Sequence, residues 1–333
     1  MTKLKLTLAC GDYDRTRALI DGRIQPEGID LNYLVLTPGE TFWRMLNNGE
    51  FDASEMSLST YTILRSQGDQ RFIALPVFPS RTFRHSSIYI HCASGIQRPR
   101  DLRGKRIGVG DYQMTAAVWV RGLLEHEYGL SADEVRWIVA APVCAGIDLP
   151  ADIQLSEAPS GKSLERLLEA GEIDALISVV IPRSMLAEKP VVKRLIPNYR
   201  EVETEYYRRT KIFPIMHTLA LKTDLFQREP WAAVSLYKAF VQARDLNYRC
   251  LYDSNALVAS LPWLIDEIEA ARSLFGQDIW DYSIEGSRPT LEAFLQYLDE
   301  QGLTRRSMTV EELFSPNIRP ELFRYLRGTG EPY

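Results

Sequence analysis

The sequence predicts an α/β fold with mainly parallel sheets, and three observations carry that expectation. Short apolar runs of strand length alternate with longer runs of helical period along most of the chain. Polar or glycine-bearing turns separate them, as βα units require. At 333 residues there is enough chain for two lobes or one large unit.

In order, Leu4–Ala9 alternates as a strand, and Cys10–Arg15 is a polar turn into a helix that begins near Arg15. Ile29–Leu36 is a second strand, Thr41–Asn48 a helix stopped by Gly49, and the segment from Phe51 to Met56 a short strand. A helix follows from Ser57 or Leu58, then a buried strand over Phe72–Phe78. Beyond it come the strand Ile88–His91, a turn and strand within 100–110, the helix Thr115–Tyr128, a strand at Val135–Ala140, a helix at Ser163–Ala170 and a strand within Glu172–Ser178. Ile212–Leu221 reads as an apolar strand broken by Pro214, and helices are expected at Pro230–Asn247, Pro262–Phe275 and Thr290–Gln301.

The composition, 45% hydrophobic and 25% charged, is that of a soluble globular protein. A formal net charge of −5 and the lack of a long Lys/Arg run argue against nucleic-acid binding. Neither a signal-peptide pattern nor a membrane-length apolar run occurs, so a cytoplasmic location and no membrane association are expected. Cys10, Cys92, Cys144 and Cys250 lack CxxC spacing, which speaks against a zinc cage or disulfide framework. A homo-oligomer is expected through the C-terminal helices, which the 315–333 tail could equally cap.

The phrase Asp101-Leu102-Arg103-Gly104-Lys105-Arg106-Ile107-Gly108-Val109 resembles the start of the second lobe in type II periplasmic-binding-protein folds. That resemblance implies one lobe over 1–88 plus 216–333, a second over 89–215, two chain crossings, and a ligand cleft between the lobes. Ligands in such folds lie beyond the carboxyl ends of the strands, facing helix N-termini that suit anions. Three turns have that composition: Cys10–Arg15, Ser54–Ser57 and Gly110–Thr115. Asp12, Asp14, Ser57 and Asp111 also read as ordinary N-caps, a role compatible with lining a cleft.

The segment Pro79-Ser80-Arg81-Thr82-Phe83-Arg84-His85 holds two arginines and a histidine without an acid. Arg81 and Arg84 can each grip a carboxylate bidentately, and a histidine can move a proton near neutral pH. His85 and His217 flank the expected crossings. With Glu55 they form a weak two-histidine, one-carboxylate metal set, lacking HxH or HxxxH spacing. No nucleophile elbow or complete dinucleotide loop is present, and Cys10 reads as a packed residue more than as a thiol nucleophile.

Cys10-Gly11-Asp12-Tyr13-Asp14-Arg15, Glu55-Met56-Ser57, the block from Phe78 to Ser86, Gly110-Asp111-Tyr112-Gln113-Met114-Thr115-Ala116 and Ile212-Phe213-Pro214-Ile215-Met216-His217 together resemble the 4,5-dihydroxyphthalate decarboxylase family. The similarity continues through Gln301-Gly302-Leu303 and Glu311-Glu312-Leu313-Phe314. It implies conversion of an aromatic dicarboxylate to 3,4-dihydroxybenzoate and carbon dioxide, without cofactor or metal. On that basis Arg81 and Arg84 are expected to clamp carboxylate, helped by Arg15 or Arg183. His85 or His217 is the expected proton donor, while Glu55, Asp12 or Tyr112 hold ring hydroxyls, and Ser57 and Thr115 line the site. The rival expectation is a solute-binding protein that passes an aromatic or sulfonate anion to a transporter, using the same cleft.

Overall fold

The protein is described here by a computed structural model covering residues 2–140 and 149–318; Cys144 and most of the 315–333 tail lie outside the described residues. Its strands are β1 (Leu4–Cys10), β2 (Ile29–Val35), β3 (Ala53–Ser57), β4 (Phe72–Leu75), β5 (Ile88–His91), β6 (Arg106–Val109), β7 (Arg136–Val139), β8 (Gln154–Glu157), β9 (Ala175–Ile177), β10 (Val192–Arg194) and β11 (His217–Lys222). They form two sheets, ordered β2-β1-β3-β11-β4 and β10-β5-β9-β6-β7-β8.

The local causes are those visible in the sequence. Alternation along Leu4-Lys5-Leu6-Thr7-Leu8 buries Leu6 and Leu8 while Lys5 stays exposed. Pro38 opens the helix Pro38–Asn48, and Gly49, at φ +54°, ends it by donating its N–H to the Met45 carbonyl. The helix Thr115–Tyr128 falls where the pattern puts it, closed by Gly129.

Both sheets are mixed rather than mainly parallel. Pairs among β1, β2 and β3 and among β6, β7, β8 and β9 are parallel. However, β11 runs antiparallel to β3 and β4, and β5 runs antiparallel to β9 and β10. The strand expected over Ile212–Leu221 begins only at His217, and the polar β8 and three-residue β10 gave no apolar signal.

The chain divides into two units. The first holds the chain up to Arg81, Ile215–Leu291 and the chain from Met308 onward; the second holds Thr82–Pro214 and Glu292–Ser307. The first boundary therefore precedes that expected at 88, because β5 belongs to the second sheet. Residues 292–307, expected with the first lobe, belong to the second unit. There Phe294 and Tyr297 pack on Trp119, and Gly122 lies so close to the Tyr297 ring that a Cβ would stand 2.0 Å from it. A second apolar cluster, including Tyr89, Leu167, Leu168, Ile173 and Leu176, fills the space beneath the β5–β9 ladder.

Candidate active site

In the first unit, β11 registers antiparallel on β3 with His217 opposite Ser57 and Leu219 opposite Glu55. Residues directly opposite share a face of the sheet, so Glu55 and His217 are diagonal neighbours on one face. The Glu55 side chain is 0% exposed, and its Oε1 lies 2.5 Å from His217 Nδ1. The same oxygen accepts from the Tyr13 hydroxyl at 2.7 Å, and Oε2 accepts from the Gly11 N–H at 3.0 Å and the Cys10 thiol at 3.4 Å.

A carboxylate buried this deeply is unfavourable unless charge and hydrogen bonds compensate it. Burial is the largest influence on Glu55 and raises its pKa. The charge of His217, with hydrogen bonds from His217, Tyr13 and Gly11, outweighs burial and holds it below the ordinary carboxylate range. Glu55 is thus ionised and accepts from Nδ1, which leaves Nε2 as the ring nitrogen turned away from it. The His217 side chain is 17% exposed and meets Phe42 edge-on, with centroids 5.0 Å apart.

Two neighbours keep this geometry. A Cβ on Gly11 would sit 2.7 Å from the Tyr13 ring, so glycine is what lets the ring fold back to Glu55. Burial, then the Glu55 charge, pushes the Cys10 thiol and the Tyr13 hydroxyl up, so both remain protonated donors. Cys10 therefore serves the carboxylate and is not poised as a nucleophile.

The other first-unit candidates are differently engaged. Arg15 lies between the rings of Tyr13 and Trp280, 4.4 and 4.1 Å from their centroids, and donates Nε to the Pro79 carbonyl at 2.8 Å. Its Nη1 meets Asp14 at 2.9 Å. Arg15 reaches Glu55 through Tyr13, then, rather than as an open clamp. Arg81 Nη1 donates to the Asp281 carbonyl at 3.1 Å and meets Ser287 Oγ at 3.4 Å, while its backbone bridges to Ile215. Asp12 is an exposed partner of Arg17, 2.7 Å away, and is not gathered with Glu55. Ser57 is buried at the end of β3, with its Oγ 3.1 Å from Ser59 Oγ.

Arg84, His85, Tyr112, Thr115 and Arg183 belong to the second unit. Arg84 is buried with Nη1 3.5 Å from Ser87 Oγ, and burial lowers it to about 10. His85 is 2% exposed, its ring 5.2 Å from that of Tyr206 and its Nδ1 3.7 Å from Glu203 Oε1. Burial lowers His85 to about 4, so its imidazole is neutral where a general acid should hold a proton. Tyr112 is fully buried, Thr115 opens the helix Thr115–Tyr128, and Arg183 is exposed, with its backbone N–H given to Glu165. Among the described residues no group of three or more His, Cys, Asp or Glu could hold a metal ion; of the weak metal set, Glu55 and His217 belong to the first unit and His85 to the second.

Glu203 has a consequence for stability. Burial raises it to about 7, against smaller lowering influences from the Ser86 and His85 N–H groups, Arg194 and Arg84. Its folded pKa lies above the unfolded value. Its contribution is therefore full below about pH 4.5 and lost as pH rises through 7. His85 acts oppositely, contributing above about pH 6.5 and losing that contribution as pH falls toward 4. The two offset each other between about pH 4.5 and 6.5. In Glu203→Gln only the His85 limb remains, so the stability gap between variant and wild type should widen in the variant's favour by on the order of 2–3 kcal/mol from pH 4.5 to 7. Urea melts at stepped pH check this, and a constant gap would refute the assignment.

Sequence inspection missed Tyr13 as a contributor. A polar turn ending in Tyr13 was visible, but its reach across to β3 was not.

Comparison with known proteins places the chain. No protein-family model matches it. The 4,5-dihydroxyphthalate decarboxylase of Comamonas testosteroni is 40% identical over 322 residues, covering 95% of this chain and 98% of that protein. The protein of the same name from Pseudomonas putida is 40% identical over 214 residues, 62% of this chain and 83% of that one. Solved structures with the same fold include the sulfonate-binding protein SsuA of Methylobacillus flagellatus, at TM-score 0.57 and 13% identity over 100% and 98% of the two chains. The SsuA of Escherichia coli gives 0.56 and 13% over 95% and 98%, and the desulfurization enzyme DSZB 0.51 and 17% over 98% and 99%. These put the fold in the type II periplasmic-binding-protein class expected from the 101–109 phrase. With sequence identity sustained over nearly its whole length, the chain belongs to the 4,5-dihydroxyphthalate decarboxylase family.

Proposed function

We propose that the protein converts 4,5-dihydroxyphthalate to 3,4-dihydroxybenzoate and carbon dioxide, with His217 as the proton donor. The carrying observation is the 2.5 Å contact between His217 and the fully buried, ionised Glu55, in a chain of this family. Each substrate carboxylate has a ring hydroxyl para to it, which enriches the carbon that bears it. The His217 imidazolium gives its Nε2 proton to that carbon, forming a new C–H bond and interrupting aromaticity. The bond to the carboxylate then breaks, its electron pair returns to the ring, and carbon dioxide leaves. The neutral imidazole regains a proton from solvent. Glu55 holds the ring in place through Nδ1, which leaves Nε2 facing away from it.

Incubating the purified protein with 4,5-dihydroxyphthalate, while following product and released carbon dioxide, tests this. Stoichiometric conversion is expected. Tight binding without turnover would instead fit a solute-binding protein and end the proposal.

A further inference from the structure

Arg121 lies inside the apolar run Ala116–Leu124 of the helix Thr115–Tyr128, and the fold buries it to 2% exposure. Its guanidinium stacks 3.8 Å from the Tyr112 ring centroid and 5.6 Å from that of Trp137. Nε donates to Gln301 Oε1 at 2.8 Å, and Gln301 is itself fixed by donating Nε2 to the Val118 carbonyl at 3.0 Å. Among the described residues, neither Nη1 nor Nη2 has a hydrogen-bond partner, and nor does the Tyr112 hydroxyl. The nearby acid Asp111 turns its oxygens to the Gln113 N–H at 3.0 Å and the Gln113 amide at 2.9 Å.

The two terminal guanidinium nitrogens carry four N–H groups, and the phenol adds an O–H. Leaving buried donors unpaired is strongly unfavourable. Donors without acceptors are complementary to a ligand that only accepts. We propose that Arg121 and Tyr112 form a buried oxyanion site in the second unit. Its occupant is a small oxyanion, a carboxylate or an inorganic anion of the same chemistry, and the site does not depend on the proposed decarboxylation.

The test uses the full chain as wild type, Arg121→Met and Tyr112→Phe, with phosphate, benzoate and phthalate added at constant ionic strength. Melting temperature and calorimetric Kd are read. At least one anion should stabilise wild type saturably, with Kd rising about tenfold or more in Arg121→Met and about threefold in Tyr112→Phe. Free Arg121→Met should melt no lower than wild type, because removing two buried guanidinium nitrogens without hydrogen-bond partners offsets the lost Nε bond to Gln301. A clear drop in its melting temperature would mark the arginine as structural and overturn the site. So would unchanged anion affinity in Tyr112→Phe, which keeps the ring and removes one oxygen, or an anion set that leaves wild type unmoved. Stabilisation by phosphate alone assigns an inorganic oxyanion; stabilisation by benzoate or phthalate assigns a carboxylate. Absence of turnover in wild type tells against decarboxylation and leaves the anion result standing.

Discussion

His217→Asn lowers kcat for decarboxylation by roughly 10²–10⁴-fold, the usual share of a positioned general acid. Asparagine keeps a polar side chain near Glu55 but carries no proton it can lend at neutral pH. KM should move only a few-fold, because the loss falls on the transition state and not on binding. Steady-state kinetics beside a melting curve separates this from unfolding, and a variant with wild-type kcat would remove His217 from the chemistry. The contrast is His85→Ala. That ring is buried against Tyr206, so its loss should lower the melting temperature and leave kcat within a few-fold.

Glu55→Gln ranks second and is expected to lower kcat by roughly 10²–10⁴-fold with little change in size. The amide oxygen can still accept from Nδ1, but the countercharge is gone. On the other side its NH₂ must face the Gly11 N–H or the Cys10 thiol, both of which donate. Steady-state kinetics beside a melting curve measures this. If kcat stays within threefold, Glu55 is a structural acid only.

Much of the fold could be read from periodicity, since helices such as Thr115–Tyr128 and strands such as Leu4–Cys10 follow from local pattern. Glu55 and His217 stood out singly, each a polar residue in a strand of small or apolar neighbours. The sequence grouped them only with His85, as a weak metal set; their direct contact was not legible, because it depends on antiparallel register between residues 162 apart. Arg81 and Arg84 looked like one clamp because they are three residues apart, yet the unit boundary falls between them. Arg121 had a signal that was passed over: one cation in the run Ala116–Leu124, where a solvent-facing charge would recur with helical period. Packing around it, which only the three-dimensional structure supplies, is what makes it unusual.

The cross-strand origin of the acid pair also bears on how the chain acquires its chemistry. Strands β1, β2 and β3 come from the first 57 residues, but the histidine arrives only when the chain returns to lay β11 against β3. Closing so long a loop is entropically expensive, and contacts of this separation tend to form late. Until then Glu55 would be a buried charge without its counter-ion, a penalty that favours keeping this edge of the sheet open and hydrated. Proton-transfer competence is thus tied to completion of the chain's second pass, and no fragment ending before residue 217 carries both halves of the donor.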